Sequence, residues 1–432
     1  MNKIYESKLM KGLQRFGEKF ATNKAFSAIS KSMMGLIGII LVGALFQIVA
    51  TIPTLFGWLT IESTFYKFCM APYNATFGII SVYVVFLIAY NYSKSLKMKP
   101  IQDGVTALAL FLLVAAPVQN ALLSDGVTSI NYLDTSSLGG VGLFVAILIG
   151  LLSVKITNLC HKLNIVVKMP DAVPQFLQDS FSAMIPLAIN LLIWHGLNTV
   201  ISGALSVTLP MAINAVLSFP LMALNSVPGM IVIILFACLL WTFGIHGTMV
   251  AFIALMPVLM QDISANAAAV AAGQDPQFYA SFLLFTIACA GGTGNSLGLV
   301  LMGLKSKSEQ IKSVSKVALV PAFFNINEPA TFGYPIMYNP ILAIPFILTP
   351  VITCLLVWLG YAIGFFKPAY IMMMSLMPLG VVEFLSTMAW QNLLIPVVGF
   401  VVGLIIYFPF FKAYEKQLIA KEALQDENTV AA

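Results

Sequence analysis

The chain has 432 residues, of which 59% are hydrophobic and only 9% charged, and its mean hydropathy is +0.94. Soluble globular domains carry about 25% charged residues, so this composition excludes that class and indicates a polytopic membrane protein with room for roughly eight to ten spans. The net charge of +5 does not indicate nucleic-acid binding, because the basic residues are spread between apolar segments instead of forming one patch.

The distribution of basic residues predicts the topology. They fall in five groups beside or between the apolar segments, and the positive-inside rule assigns such groups to the cytoplasmic side. We therefore predict that both termini are cytoplasmic. The groups are Lys3 to Lys31, Lys94 to Lys99, Lys155 to Lys168, Lys305 to Lys316 and Lys412 to Lys421.

Short motifs for metals, nucleotides or export are absent from the sequence. The five cysteines are dispersed and form no CxxC or histidine-paired pattern, so neither disulfides nor a metal site is expected. No phosphate-binding loop is recognisable, which makes direct use of ATP unexpected. We predict no metal and no cofactor, and the charged N-terminus does not resemble a cleavable signal peptide.

The N-terminal region, residues 1–28, has an amphipathic pattern. Leu9, Leu13, Phe16 and Phe20 recur at helical spacing among lysines. This pattern predicts a helix lying on the inner membrane leaflet. A solvated cytoplasmic helix is the alternative.

The N-terminal membrane half, residues 29–162, is predicted to hold four spans with few buried polar groups. We assign it to scaffold and dimerisation, with close packing expected at its paired glycines. The spans are predicted at about 29–52, 75–91, 104–123 and 139–159, the external loop at 124–137, and the close-packing glycines are Gly139, Gly140 and Gly142.

A connector at 163–179 is predicted to separate the halves, and its Pro170 and Pro174 favour a stiff linker. The C-terminal half, 180–411, is predicted to bind and transport the substrate, and 412–432 form a cytoplasmic tail. The first span of the C-terminal half, near 180–201, contains Asn190 and His195. Such side chains either bind substrate or hydrogen-bond neighbouring membrane helices together, and the sequence leaves both readings open.

Three apolar runs in the C-terminal half stop at polar, glycine-rich or proline-containing stretches. The first stops at Gly244 to Thr248, the second at Ala290 to Ser296, and the third is Phe323 to Tyr334. Irregular backbone at membrane depth survives only where it is buried in protein or lines a watered cavity. Paired interruptions of this kind are a sequence indicator of a transporter's substrate site.

The third stretch, FFNINEPATFGY, contains a carboxylate within membrane-grade hydrophobic sequence. Pro329 disfavours helix at Glu328, so the backbone there is predicted to be broken. A carboxylate accepts a proton or hydrogen bond from a hydroxyl, and the imidazole of His246 is suited to proton exchange near neutral pH. A solvated loop glutamate and a packed histidine are the alternatives for each residue taken alone.

The motifs WTFGIHG (Trp241 to Gly247), GGTGNSLGL and NINEPATFG (Asn325 to Gly333) together resemble one known family. It is the membrane permease (enzyme IIC) subunit of the bacterial phosphoenolpyruvate-dependent sugar phosphotransferase system, of the lactose/cellobiose/chitobiose type. The resemblance covers nearly the whole chain. His246 and Glu328 match the family's functional histidine and glutamate.

The resemblance implies an all-α polytopic homodimer in the bacterial cytoplasmic membrane. About ten transmembrane helices per protomer are implied, with two re-entrant hairpins in the C-terminal half enclosing a β-linked disaccharide. It further implies phosphorylation of the sugar 6-hydroxyl by a phosphocysteine on a separate IIB protein, which is supplied through IIA, HPr and enzyme I. Further predicted sugar contacts are Asn190, His195, Trp241, Asn295, Asn325, Asn327 and Trp390.

Two rival functions remain at this point. In an ion-coupled sugar symporter with the same broken helices, Glu328 would carry a proton or coordinate Na⁺. A membrane scaffold without transport is disfavoured by the polar groups within the apolar segments. For Trp241 and Trp390, packing or interfacial placement is the alternative to stacking on a sugar ring.

Overall fold

The computed structural model describes residues 23–122, 129–170, 172–337, 339–373 and 377–430. The predicted amphipathic helix falls mostly at 1–22 and lies outside the described residues. The chain divides into two compact units. The first unit is Thr22–Met222 with Met256–Ala271, and the second unit includes Ala223–Leu255 and Ala272–Ala432.

The first unit is mainly helical. Its core includes Ile80, Val84 and Ile88, which recur at helical spacing on one helix and are fully buried. Gly150 on a neighbouring helix faces Ile88, where an added Cβ would lie 3.0 Å from the isoleucine side chain. The elements are α1 Lys24–Gly35, α2 Ile37–Leu55, α3 Thr64–Ala75, α4 Ile80–Ser95, α5 Pro100–Ala115, β1 Val118–Leu122, β2 Ser129–Leu133, α6 Leu143–Lys162, α7 Gln175–Ser182, α8 Met184–Leu205 and α9 Leu209–Leu224, with short 3₁₀ turns at Phe77–Ile79 and Gly140–Gly142.

The predicted third span ends earlier than expected and leads into a β-hairpin. Helix α5 ends at Ala115, Pro117 follows, and β1 pairs antiparallel with β2 in the register Val118↔Leu133. Proline has no amide proton and cannot continue the helix. The prediction of an all-α fold is therefore corrected to a mostly helical fold with one exposed two-stranded hairpin.

The glycines before α6 pack closely, as the sequence predicted. An added Cβ would lie 2.8 Å from the Gly78 carbonyl oxygen at Gly139 and 2.6 Å from the Ser264 Cβ at Gly140. Real Cβ atoms do not approach other atoms this closely. The chain before α6 therefore requires residues without side chains at these positions.

The second unit holds the three interruptions. Its core includes Tyr407, a fully buried residue whose hydroxyl donates to the carbonyl oxygen of Gly294 at 3.0 Å. Its elements are α10 Val227–Thr242, the first part of α11 Gly247–Ala271, α12 Leu297–Gly303, α13 Glu309–Phe323, α14 Glu328–Gly333, α15 Pro340–Ala362, α16 Val381–Thr387 and α17 Leu394–Val430, with 3₁₀ segments at Ala280–Ala288 and Trp390–Leu393.

Within the described residues, seven helical segments are long and apolar enough to cross a membrane. Two shorter apolar helices, Pro100–Ala115 and Val227–Thr242, accompany them. The fold is that of a multi-pass membrane protein, and the count of about ten spans stays a prediction. The seven segments are Lys24–Thr54, Phe77–Ser95, Gly140–Lys162, Leu177–Leu205, Ala254–Ala271, Pro340–Ala362 and Trp390–Ala423.

The connector contains more regular structure than a linker. Residues 163–174 form no helix where described, but α7 begins at Gln175, directly after Pro174. Proline suits a helix start because the first amides of a helix have no intrahelical partner. Lys99, in the loop between α4 and α5, forms an ion pair with Asp179 of α7 at 2.8 Å. The connector is thus fastened within the first unit.

Candidate functional site

Three irregular segments of the second unit come together. Segment A is 243–246 between α10 and α11, segment B is 289–296 before α12, and segment C is 324–327 between α13 and α14. Left-handed residues break the backbone in each, for example Gly244 with φ of 80° and Asn325 with φ of 59°. Glycine and asparagine are the residues that adopt this conformation most readily.

Segments A and C meet through the predicted pair. The His246 Nε2 lies 3.6 Å from the Glu328 Oε1, and the two side chains are 41% and 43% exposed. This separation is longer than an ordinary hydrogen bond, so the contact is electrostatic, with room to shorten. Partial exposure leaves both groups accessible to a ligand.

The protonation of His246 follows from its second nitrogen. The backbone N–H of Met249 donates to His246 Nδ1 at 3.2 Å, so that nitrogen is an acceptor and carries no proton. In the neutral imidazole the proton then sits on Nε2, the nitrogen nearest the carboxylate. Helix α11 thereby selects the tautomer that donates toward Glu328.

The same contact acts on the acidity of Glu328, which lies outside the seven candidate spans. The His246 Nε2–H that faces the carboxylate is the main cause that lowers the pKa of Glu328, and partial burial opposes this change. The carboxylate is therefore held in its anionic form. An anionic carboxylate accepts hydrogen bonds and protons but donates none.

Segments A and B meet through two buried threonines. The hydroxyls of Thr248, in the first turn of α11, and Thr293 in segment B are 2.6 Å apart. A buried hydroxyl without a partner costs about 1–3 kcal/mol, so this pair stabilises the approach of the two segments.

Segments B and C are joined by two asparagines. The Asn325 side-chain oxygen accepts from the N–H groups of Gly291 at 2.9 Å and Gly292 at 3.4 Å. The Asn327 amide donates to the Thr293 carbonyl oxygen at 3.3 Å and to the Thr331 hydroxyl at 2.8 Å. Both asparagines, predicted as sugar contacts, use their side chains to align the loop that carries Glu328.

Aromatic rings line one side of the histidine. The Trp241 ring centroid lies 4.4 Å from that of His246 and 6.5 Å from that of Phe332. The indole Nε1–H is buried and has no hydrogen-bond partner among the residues that the structure describes. Buried donors normally have partners, so this unpaired donor is unusual, although Trp241 itself is only 3% exposed.

Asn295 has a different environment. It is fully buried and left-handed, with φ of 49°. Its oxygen accepts from the Ala290 N–H at 3.1 Å, and its amide donates to the Thr286 carbonyl oxygen at 3.0 Å and the Thr353 hydroxyl at 3.3 Å. In this state its polar atoms are engaged by protein groups that hold segment B.

The other predicted contacts lie elsewhere. Asn190 and His195 belong to α8 of the first unit. The buried Asn190 amide donates to the Pro186 carbonyl oxygen at 3.0 Å and to Thr157 at 3.3 Å, while His195 is exposed. Trp390, in the second unit, is 61% exposed and packs edge-on against Phe365 at 6.4 Å.

Sequence reasoning did not single out Thr248, Thr293 or Phe332 as part of the site. A threonine in an apolar or glycine-rich stretch carries no signal of its partner, and the two hydroxyls are 45 residues apart. The signal that was available is position, since Thr248 directly follows the histidine motif and Thr293 lies inside the GGTGNS stretch.

Comparison with known proteins agrees with the motifs. The family profile described as "Phosphotransferase system, EIIC" matches residues 30–350. The chain is 32% identical over 436 residues to the lichenan permease IIC component of Bacillus subtilis (strain 168), covering 98% of this chain and 95% of that protein. It is 30% identical over 431 residues to the cellobiose-specific EIIC component of Geobacillus stearothermophilus, covering 94% and 93%.

A solved structure has the same fold. The transporter ChbC, the IIC component of the N,N'-diacetylchitobiose-specific phosphotransferase system, matches with a TM-score of 0.87 and 27% identity, covering 96% of this chain and 99% of ChbC. The profile and the relatives each span most of the chain. The chain therefore belongs to the EIIC family of phosphotransferase-system membrane components.

Proposed function

We propose that this EIIC component binds a β-linked disaccharide and translocates it with phosphorylation of its 6-hydroxyl by a phosphocysteine on a separate IIB protein. The single observation that carries the chemistry is the approach of His246 to Glu328, 3.6 Å apart and both partly exposed. This pair links segment A to the helix that follows segment C, and segment B is hydrogen-bonded to Thr248, Asn325 and Asn327 beside them. Such a place suits a hydroxyl-bearing ligand.

The transfer balances without a cofactor. The sugar 6-oxygen attacks the phosphorus of the phosphocysteine, the new O–P bond forms, and the S–P bond breaks to release the cysteine thiolate. The hydroxyl proton passes to the Glu328 carboxylate, which is a general base. His246 lowers the pKa of Glu328, so the carboxylate is ionised before the hydroxyl binds.

His246 acts through its tautomer in this proposal. The Met249 N–H occupies Nδ1, which leaves Nε2–H to orient the carboxylate and to donate to charge that develops on the sugar oxygen. Orientation of a base by a fixed donor lowers the reorganisation that the reaction requires.

The sugar class is carried over from relatives whose names specify lichenan, oligo-beta-mannoside and cellobiose components. Trp241 supports a sugar ligand through one observation, its buried Nε1–H, which has no partner among the described residues. A small displacement of the packed ring would let that donor reach a sugar hydroxyl. We further propose a homodimer in the bacterial cytoplasmic membrane, with both termini cytoplasmic and with IIA, HPr and enzyme I acting upstream of IIB.

The test uses vesicles that contain the full chain. Radiolabelled cellobiose is supplied outside, with phosphoenolpyruvate, enzyme I, HPr, IIA and IIB either present or absent inside. The proposal predicts sugar phosphate in the lumen only when the complete donor set is present. Accumulation of free sugar driven by a proton or Na⁺ gradient without the donor proteins would instead establish the symporter, which the family membership does not favour.

A further inference from the structure

The turn between α12 and α13 is hydrogen-bonded to the last helix, α17. In this turn exposed Lys305 and Lys307 alternate with buried Ser306 and Ser308. Loops on a protein surface are ordinarily its more mobile parts. Here the two buried serines indicate that the turn packs against another part of the protein and is fixed in one conformation.

Two glutamates of α17 hold this conformation. Glu415 Oε1 accepts from the Ser306 hydroxyl at 2.7 Å and from the Lys307 N–H at 3.1 Å. Glu422 Oε1 accepts from the Ser308 hydroxyl at 2.6 Å and from an N–H of the next residue but one at 3.2 Å. The glutamates are seven residues apart, two helical turns, and so share one face. Hydrogen bonds to carboxylates are stronger than neutral ones.

We call Glu415 and Glu422 the clamp. Glu415 is buried, and each of the two glutamates directs an oxygen onto the turn, while Lys305 and Lys307 of the turn stay exposed. The second oxygen of Glu415 forms an ion pair with Lys412 at 2.8 Å. Glu309, the first residue of α13, is 80% exposed and lies 3.7 Å from the Lys312 Nζ. We call five exposed lysines the basic platform: Lys305 and Lys307 in the turn, Lys316 in α13, and Lys416 and Lys421 in α17.

We propose that the basic platform is the docking surface for the phosphoryl-donor protein, with Glu415 and Glu422 as positioning residues that fix its shape. This inference rests on the proposed function. The expected occupant is a folded protein whose surface around a phosphorylated cysteine is acidic, because opposite potentials favour association of such surfaces.

A folded partner fits the clamp better than an anionic membrane surface does. Attraction of lysines to anionic lipid depends on charge near the bilayer and needs no fixed backbone. The clamp instead accepts hydrogen bonds from two backbone amides, that of Lys307 in the turn and that of Gln310 at the start of α13. Fixed geometry lowers the entropic cost of binding a partner of defined shape.

The experiment measures binding of purified phosphorylated IIB to the detergent-solubilised full chain by calorimetry. We expect Glu422→Ala to raise the Kd for IIB about tenfold, with the Kd for cellobiose unchanged. Glu415→Ala is made together with Lys412→Ala, because the single variant would release the lysine from its ion pair, and this double variant should raise the Kd by a similar factor. Glu309→Ala is the matched control, because it removes an exposed carboxylate that lies next to the turn and outside the clamp. It should bind IIB as tightly as the wild type or more tightly.

Three results separate the possibilities. An unchanged Kd for IIB in both clamp variants, with thermal unfolding close to wild type, overturns the proposal. The same holds if the variants change only the binding of vesicles containing phosphatidylglycerol. If the double variant with Glu415→Ala does not fold, the half-buried Glu422 carries the test alone. Wild-type chain that binds IIB but forms no sugar phosphate would contradict the proposed function and leave the platform standing.

Discussion

The hydrogen bond between Thr248 and Thr293 predicts that single and double substitutions affect stability differently. Valine has nearly the shape of threonine but lacks the hydroxyl. Thr248→Val or Thr293→Val alone leaves the other buried hydroxyl without its 2.6 Å partner, and this should cost about 1–3 kcal/mol of the free energy of unfolding. In the double variant no hydroxyl is orphaned, so the double variant should be more stable than the sum of the single losses by about 1 kcal/mol or more.

The assay is thermal or denaturant unfolding of the purified chain in detergent, with cellobiose binding measured alongside. If segments A and B are aligned by this bond, each single variant also weakens binding and the double variant recovers part of it. Strictly additive losses in the double variant would refute the coupling. Two single variants as stable as wild type would refute the buried bond itself.

The remaining predictions concern the backbone and the charge of the site. Gly292→Ala should lower thermal stability and cellobiose affinity more than Gly273→Ala. Both glycines have φ near +75°, but only at Gly292 would an added Cβ meet another atom, the Asn327 Cβ at 2.7 Å. Equal losses in the two variants would show that backbone strain alone matters. The lowered pKa of Glu328 adds stability above the pKa of the unfolded state, and this stability is lost as pH falls through the lower folded pKa. His246→Gln removes the main cause of the lowered Glu328 pKa, so the acidic side of the pH profile of sugar-phosphate formation should move to higher pH. An unchanged profile would show that His246 does not set the acidity of Glu328.

The positions of the breaks were predictable because each break has a local cause. Glycines around His246 disfavour helix, and proline is best accepted in the first turn of a helix. Pro329 therefore disfavours continuation of the helix that arrives from α13. The break lies at 324–327, just before Glu328, which was predicted to be non-helical but is the first residue of α14. How the three segments are joined was not predictable. Asn325 reads as a polar ligand in the sequence, whereas its side chain accepts from the amides of Gly291 and Gly292, more than thirty residues away. A single sequence does not encode such pairings in any local pattern.

The β-hairpin shows the opposite failure, in which a local signal was outweighed by hydropathy. Residues 104–123 have the length and apolarity of a span, yet the helix ends at Ala115, directly before Ala116 and Pro117. Ala121 and Ile130 then pair across the two strands. Hydropathy reports burial in an apolar medium. The described strand residues are exposed, apart from the partly buried Ala121, so hydropathy misassigned them to a membrane span.

Asn190 shows why a polar residue in a membrane helix is ambiguous. Sugar binding and helix association both place an amide in an apolar segment. In the structure its amide donates to Thr157 of α6 and to the Pro186 carbonyl oxygen, which are contacts of helix association. The bonding partners, which the sequence does not contain, are what distinguish the two readings.

Glu328→Gln measures the central claim most directly. Glutamine keeps the shape of the side chain and an oxygen that accepts from His246, but it is a very poor base. With phosphorylated IIB saturating and Glu309→Gln as the exposed-carboxylate control, the variant should bind cellobiose at near wild-type affinity. Its rate of sugar-phosphate formation should fall at least about a hundredfold. A rate near that of the wild type, in a variant shown to be folded and sugar-binding, would contradict the account.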